Sequence, residues 1–208
     1  MMNLSSILGA IGTLDGLVRA APQLVRLLRR REAFGVSVDT AGTSAFVSFG
    51  WVVYGIWTNQ PYVCFATGFS CIIFTLIAIA ALRFGRSVRE FRITPVWFVV
   101  LMVAGLLAGE TGLGIVLPIS VLVANIPQLR VAYKEGNLAD LSLGTWLLSM
   151  TDGLVWGIYA MLEHDLSIMA YGFFQLTTSG VIVALKLAYR SRKASASKKG
   201  LSTKVLGD

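Results

Sequence analysis

Apolar residues in this chain come in seven long runs, at about Leu4 to Leu28, Ala41 to Trp57, Tyr62 to Leu82, Thr94 to Ala108, Gly112 to Ala132, Leu143 to Leu162 and Leu166 to Leu187. An α-helix rises about 1.5 Å per residue and a hydrocarbon core is about 30 Å thick, so about 20 apolar residues make one crossing. Each run therefore predicts a membrane-spanning helix, the fourth, of about 15 residues, being the shortest. The breaks between runs are short and polar, and they alternate in character. Thr58 to Pro61, Gly109 to Thr111 and Glu163 to Asp165 contain no Lys or Arg, whereas the other breaks are basic.

Composition agrees with the pattern. Of 208 residues 55% are hydrophobic and 14% charged, with a mean hydropathy of +0.71, more apolar side chain than the core of one soluble domain uses. Arg26 and Arg29 to Arg31 follow the first run, Arg83, Arg86, Arg89 and Arg92 the third, Arg130 and Lys134 the fifth, and seven basic residues from Lys186 to Lys204 the seventh. Every Lys and Arg except Arg19 falls on one side of the layer. Lys and Arg near helix ends stay in the cytoplasm, so the N-terminus is expected outside and the C-terminus inside. The net charge of +7 follows from this bias and does not point to nucleic acid. Short loops suggest a plasma membrane of the bacterial inner type. Met1 to Ser6 carry no positive charge, so no cleaved signal peptide is expected.

The chain is written twice. Pro22-Gln23-Leu24 returns 105 residues later as Pro127-Gln128-Leu129. With no gap, Ser37 meets Ser142, Thr40 meets Thr145, Ser44 meets Ser149, Trp51 meets Trp156, Tyr54 meets Tyr159 and Phe69 meets Phe174. A match held in register over so long a stretch is a duplicated unit. Each copy has three helices. Two odd-numbered units joined directly would face opposite ways, yet both copies have Pro-Gln at the basic end, so the fourth run must be an unpaired linker. The expected organisation is a first three-helix repeat over 1–93, a linker helix over 94–111, a second repeat over 112–190 and a disordered cytoplasmic tail over 191–208, rich in Ser, Lys and Gly. Parallel repeats of this kind point to a transporter with its site between the halves.

With Pro-Gln ending the first helix of each repeat, then Gly35-Val36-Ser37 or Asp140-Leu141-Ser142, then Trp-x-x-Tyr at Trp51/Tyr54 and Trp156/Tyr159, the chain resembles the PQ-loop superfamily, and within it the SWEET sugar transporters. The likeness covers about 8–83 and 113–188. It implies an all-α membrane protein with seven helices arranged 3+1+3. It also implies a central pocket lined by the tryptophan pair, and movement of sugar by facilitated diffusion.

Pro22 and Pro127 each remove a backbone donor and crowd the preceding turn, which kinks a helix, so Pro22-Gln23 and Pro127-Gln128 are candidate hinges. SWEETs also carry prolines in their second and sixth helices, where this chain has Thr40 and Thr145. Trp57, Trp97 and Trp146 stand near helix ends, as interfacial anchors do. Trp51 lies about 11 residues, roughly 16 Å, above the cytoplasmic end of its helix and so near mid-depth. Its indole and that of Trp156 can stack on a flat solute and donate an N–H, or can simply pack. Where SWEETs pair these tryptophans with asparagine this chain has Thr67 and Gly172. Ser70 and Gln175, one turn on, are the nearest polar alternatives.

Asp15, Arg19 and Asp152 put charge within the bilayer, which is costly without a partner or a wet cavity. Asp15 and Arg19, at i and i+4, can pair. Asp152, opposite Val47 of the first repeat, is a candidate proton or cation site, because desolvation favours its neutral form, or else a partner for Arg19. PQ-loop amino-acid and cystine exporters resemble the chain in placing carboxylates there. Cys64 and Cys71 read as packing residues, and His164 as a solvated turn residue. No nucleophile with a base, metal-ligand spacing or phosphate loop is present, so neither enzyme activity nor a cofactor is expected.

Three functions follow: passive alternating-access transport of a small polar solute, foremost a sugar; proton-coupled export of an amino acid; or a non-transporting receptor on the same frame. The implied partners are that small-molecule solute and the lipid bilayer, with a homo-oligomer left open. The charge bias makes a direct prediction about topology. A cysteine introduced at Asn59 should react with a membrane-impermeant thiol reagent from outside, and one at Gly35 only from the cytoplasm; the opposite labelling pattern would invert the topology.

Overall fold

The structure, a computed structural model, describes the backbone of residues 3–33, 36–135 and 143–205, with side chains except those of Arg19, 125–135, Arg190 and 192–205. Gly35, Asp140 and Ser142, together with the side chains of Pro127 and Gln128, lie outside the described set. Six helices account for nearly all of it: α1 (Leu4–Arg30), α2 (Val38–Trp57), α3 (Pro61–Arg83), α4 (Ile93–Glu135), α5 (Leu143–Glu163) and α6 (Leu166–Val205), with a 3-10 turn at Val88–Glu90 before α4. Asn3 and Ser37 begin α1 and α2 by accepting the Ser6 and Thr40 N–H groups at 2.8 and 3.1 Å, donors that a first turn leaves open. Pro61 opens α3 at the position where its missing N–H has no helical partner to lose.

The duplication is visible in the turns. Asn59 and His164, 105 residues apart, both hold left-handed backbone at φ 61° and 57°. The next residue in each copy closes the turn backwards, Gln60 N–H to Gly55 O at 2.7 Å and Asp165 N–H to Ala160 O at 3.0 Å. Asn and His tolerate this conformation better than most non-glycine residues. The close helix contacts are duplicated as well: a Cβ at Gly9 of α1 would strike Tyr62 of α3, and one at Gly114 of α4 would strike Ser167 of α6.

Seven apolar runs occupy six helices because the fourth and fifth share α4. The break expected over Gly109 to Thr111 narrows to one residue, Gly109, at φ 56° and ψ −135°, a backbone that glycine adopts and L side chains rarely do. The arms on either side fold back on each other. Trp97 Nε1 donates to Ser120 Oγ at 3.0 Å, and a Cβ on Gly112 would collide with the Ala104 carbonyl. Along a straight helix Trp97 and Ser120 would stand about 35 Å apart. At the other terminus α6 runs on to Val205, through residues that composition reads as a disordered tail; their Ala, Lys and Leu are good helix formers.

In the first half α3 lies between α1 and α2; in the second α6 lies between α4 and α5. Contacts of α2 with α4 and of α1 with α5 close the six into a ring. Large apolar side chains, among them Leu14, Phe65, Leu106 and Leu107, stay exposed on its outside. One buried cluster joins both halves around Trp51, Tyr54, Leu117, Trp156, Tyr159 and Ile168, away from the basic end. A second, around Leu27, Val38, Ile77 and Ala81 at the basic end, belongs to the first half alone. Among the described residues, the buried cluster that joins the halves thus lies at the end away from the basic one.

The first arm of α4 is fastened to α2. Asp39 accepts the Arg92, Ile93 and Thr94 N–H groups at 2.9–3.0 Å and the Thr94 hydroxyl at 2.8 Å, capping α4 from another helix. Partial burial pushes the Asp39 carboxyl up, but the hydrogen bonds from Ile93, Thr94 and Arg92 outweigh it and hold its pKa below the ordinary 3.8. A lowered native pKa stabilises the charged form, so the contribution is complete above the unfolded value and disappears as pH falls through the native one. Asp39→Ala is expected to destabilise the protein by about 1–2 kcal/mol at pH 7, the usual value of a helix cap. Melting curves of both proteins should converge as the pH is lowered below 3.8. A constant difference down to the lowest accessible pH would mean that Asp39 does not act as a charged cap.

Candidate functional site

A cavity of about 570 Å³ lies between the halves. Small-molecule sites span roughly 300–1,000 Å³. At its deep end are Val63, Trp51, Trp156 and Ile168; towards the basic end its lining reaches Thr40 and Ala124, both exposed. The walls are rich in hydroxyls, with Thr40, Thr43, Ser44 and Ser48 of α2 recurring at helical spacing on the face that also carries Trp51. Asp39 and Asp152 are the only charged residues among the described lining.

The deep end is sealed by the tyrosines of the two Trp-x-x-Tyr motifs. In each half the tryptophan meets its tyrosine edge to face, at 5.5 Å for Trp51–Tyr54 and 5.3 Å for Trp156–Tyr159. Each tyrosine then crosses to the other half. Tyr54 donates to both Asp165 carboxylate oxygens at 3.0 and 2.9 Å, and Tyr159 donates to Gln60 Oε1 at 2.5 Å. Gln60 and Asp165 precede α3 and α6 and are themselves 105 residues apart, so the two bonds are images of each other. All four groups are buried. Asp165 also accepts the Ser167 and Ile168 N–H groups, both at 2.9 Å, which fixes its carboxylate as the cap of α6.

Of the residues singled out from sequence, Trp51, Trp156, Thr67, Ser70, Gln175 and Asp152 line this cavity together. Gly12 makes room for one of the pair: a Cβ there would lie 2.7 Å from the Trp156 ring. The Trp51 and Trp156 N–H groups make no hydrogen bond among the described residues and are left as donors. Thr67 and Ser70 donate their hydroxyl protons to Val63 O and Ala66 O at 2.6 and 2.9 Å, so towards the cavity they offer oxygen acceptors. Gly172 is not in the lining; it packs against Gly153 and Gly157, letting α5 and α6 approach closely. Asp15 is not in the lining either, and the Arg19 side chain lies outside the described residues. Pro22 and Gln23 are exposed within α1, away from the cavity.

Asp152 is fully buried and accepts the Tyr171 hydroxyl at 2.6 Å. Tyr171 also stands edge to face with Trp51 at 5.6 Å, so it connects the carboxylate of one half to the tryptophan of the other. Sequence reasoning missed Tyr171, whose counterpart is Ala66, and gave Trp97 an interfacial place although it borders the cavity. It also passed over Gln60 and Asp165, which the 105-residue register could have paired. Among the described residues no three His, Cys, Asp or Glu side chains converge to hold a metal ion.

The structure thus defines a multi-pass helical membrane protein with a largely apolar, hydroxyl-bearing cavity between two like halves. Among the described residues four helical segments, in α1, α3, α4 and α6, are long and apolar enough to cross a membrane. Its fold is similar to that of a eukaryotic SWEET transporter, with a TM-score of 0.69 over 91% of this chain and 100% of that one, at 14% sequence identity. No protein-family model matches the chain, and none of the curated proteins does.

The reciprocal tyrosine bonds generate a stability prediction. Tyr54→Phe deprives a buried carboxylate of one donor and is expected to cost about 1.5–3 kcal/mol, against about 0.5–1.5 kcal/mol for Tyr159→Phe, whose partner is a neutral amide. Thermal unfolding in detergent measures both. Melting temperatures equal to wild type in the two variants would mean that these bonds do not hold the halves together.

Proposed function

We propose that this chain is an alternating-access carrier that lets a small polar solute of the sugar type equilibrate across a membrane. In this reading the arms of α4 cross separately, giving seven crossings arranged as three, a linker and three, and the two bundles rock about the cavity between them. The observation that carries the reading is a cavity between duplicated halves, with exposed lining residues towards the basic end and a reciprocal pair of tyrosine contacts closing the other. Breaking the tyrosine bonds while the basic end closes would present the same cavity to the opposite side. The lining suits a polyhydroxyl solute: indole faces for its apolar ring surface, two indole N–H donors, and the Thr67 and Ser70 oxygens as acceptors.

Asp152 supports a second reading, proton-coupled transport. What supports it is a fully buried carboxylate in the cavity wall, bonded through Tyr171 to the neighbourhood of Trp51.

Purified protein in liposomes, offered labelled sugars and amino acids with and without a pH gradient, separates these readings. Trp51→Ala and Trp156→Ala should each remove most of the flux while the protein stays folded and inserted; undiminished flux in both would move the site elsewhere. Asp152→Asn should retain equilibrative exchange if the carrier is passive. Uphill accumulation driven by a pH gradient in the wild type, lost in Asp152→Asn, would replace the passive reading with the coupled one.

A further inference from the structure

The first arm of α4 has no counterpart in the second half, yet it contributes to the cavity wall. We propose that Trp97 on this arm is a specificity-determining residue, an indole on one side of the path from the tryptophan pair to the basic end that discriminates solutes by size. The proposal rests on the carrier reading above.

Three observations carry it. Trp97 borders the cavity together with Ser120 and Thr43. Its N–H is already used, donating to the buried Ser120 Oγ at 3.0 Å, while that hydroxyl donates to Val116 O at 3.3 Å. Trp51 and Trp156 keep their N–H groups for a solute; Trp97 can offer only carbon surface. It therefore senses shape and apolar area, not the pattern of hydroxyls.

The third observation is its position and support. Trp97 is about 18 Å along its arm from the break at Gly109, and Trp51 about 10 Å along α2 from the turn at Thr58. These breaks lie on the same side of the molecule, so Trp97 stands about 8 Å nearer the basic end. A solute leaving the tryptophan pair must pass it. The arm has little freedom to yield: Asp39 caps its start, Thr43 and Thr94 hydroxyls meet at 3.0 Å, and the Phe46 and Phe98 rings pack at 4.6 Å. A rigid wall on one side of a path sets an upper size more sharply than a mobile one.

The test uses the full chain in liposomes with labelled glucose and labelled sucrose as probes. Trp97→Ala should raise the sucrose-to-glucose ratio of initial rates about five- to tenfold, the worth of one aromatic contact. Trp97→Phe, which keeps a ring and loses the hydrogen bond, should hold the ratio within about twofold of wild type. An unchanged ratio in Trp97→Ala, while Trp156→Ala is inactive, overturns the proposal and leaves the carrier reading standing. If the wild type moves neither sugar, the sugar reading fails and accessibility decides Trp97 independently. In a Cys64→Ala, Cys71→Ala background, Trp97→Cys should react with a water-soluble thiol reagent from the basic side as fast as Thr43→Cys does. Labelling supports its place on the path whatever the solute, and absence of labelling overturns it.

Discussion

Two phenolic hydroxyls, each carried one turn beyond a tryptophan, reach from one half of the molecule to the start of a helix in the other. Buried away from water, a hydroxyl without a partner is costly, and the partner here lies across the interface. Tyr54 finds Asp165 and Tyr159 finds Gln60. Pairing both draws the halves together where Trp51, Leu117 and Trp156 share one core. At the basic end no buried cluster of described residues joins the halves, and there the cavity opens. Among the described residues, the shape of the site follows from the hydrogen-bonded end, where the halves share one core.

Within a frame that repeats down to its turns, the chemistry of the cavity is one-sided. Val47 faces the register position of Asp152, Ala66 that of Tyr171, and Ser70 that of Gln175. Among the described lining the buried carboxylate Asp152 and the amide Gln175 belong to the second half, while Asp39 and most of the small hydroxyls belong to the first. The linker arm adds to this asymmetry through Trp97. Gly9 matches Gly114 and Tyr54 matches Tyr159, and Asn59 and His164 differ in side chain but share left-handed backbone. On the cavity wall Trp51 and Ser44 keep their counterparts Trp156 and Ser149, while Val47, Ala66 and Ser70 do not, so a solute between the halves would meet a partly symmetric surface.

The likeness to a eukaryotic SWEET transporter extends over nearly the whole of both chains at 14% identity. Packing explains how so few shared residues suffice. A ring of apolar helices tolerates exchange among similar side chains provided that total volume and pattern are kept. The contacts that resist exchange are backbone approaches such as Gly172 against Gly157, and buried polar pairs such as Tyr54 with Asp165.

Run length, charge bias and the 105-residue register are local or additive properties, so the chain by itself determined where its apolar helices run and that Trp51 and Trp156 are counterparts. The same register already contained the pairing of Gln60 with Asp165. Which side of each helix faces the cavity is another matter. Apart from the hydroxyls of α2, the helices are largely apolar, with lipid on one side and protein on the other accepting the same side chains, so on α6 no comparable polar stripe marks the inner face. Gly172 and Gln175, three residues apart on α6, illustrate it: one went to the contact with α5 and the other to the cavity. Trp97 looked like an interfacial anchor until the arms of α4 folded back at Gly109 and brought it against Ser120. Helix rotation and the return of one arm on another are set by contacts between residues far apart in the chain, and only the tertiary structure decided them.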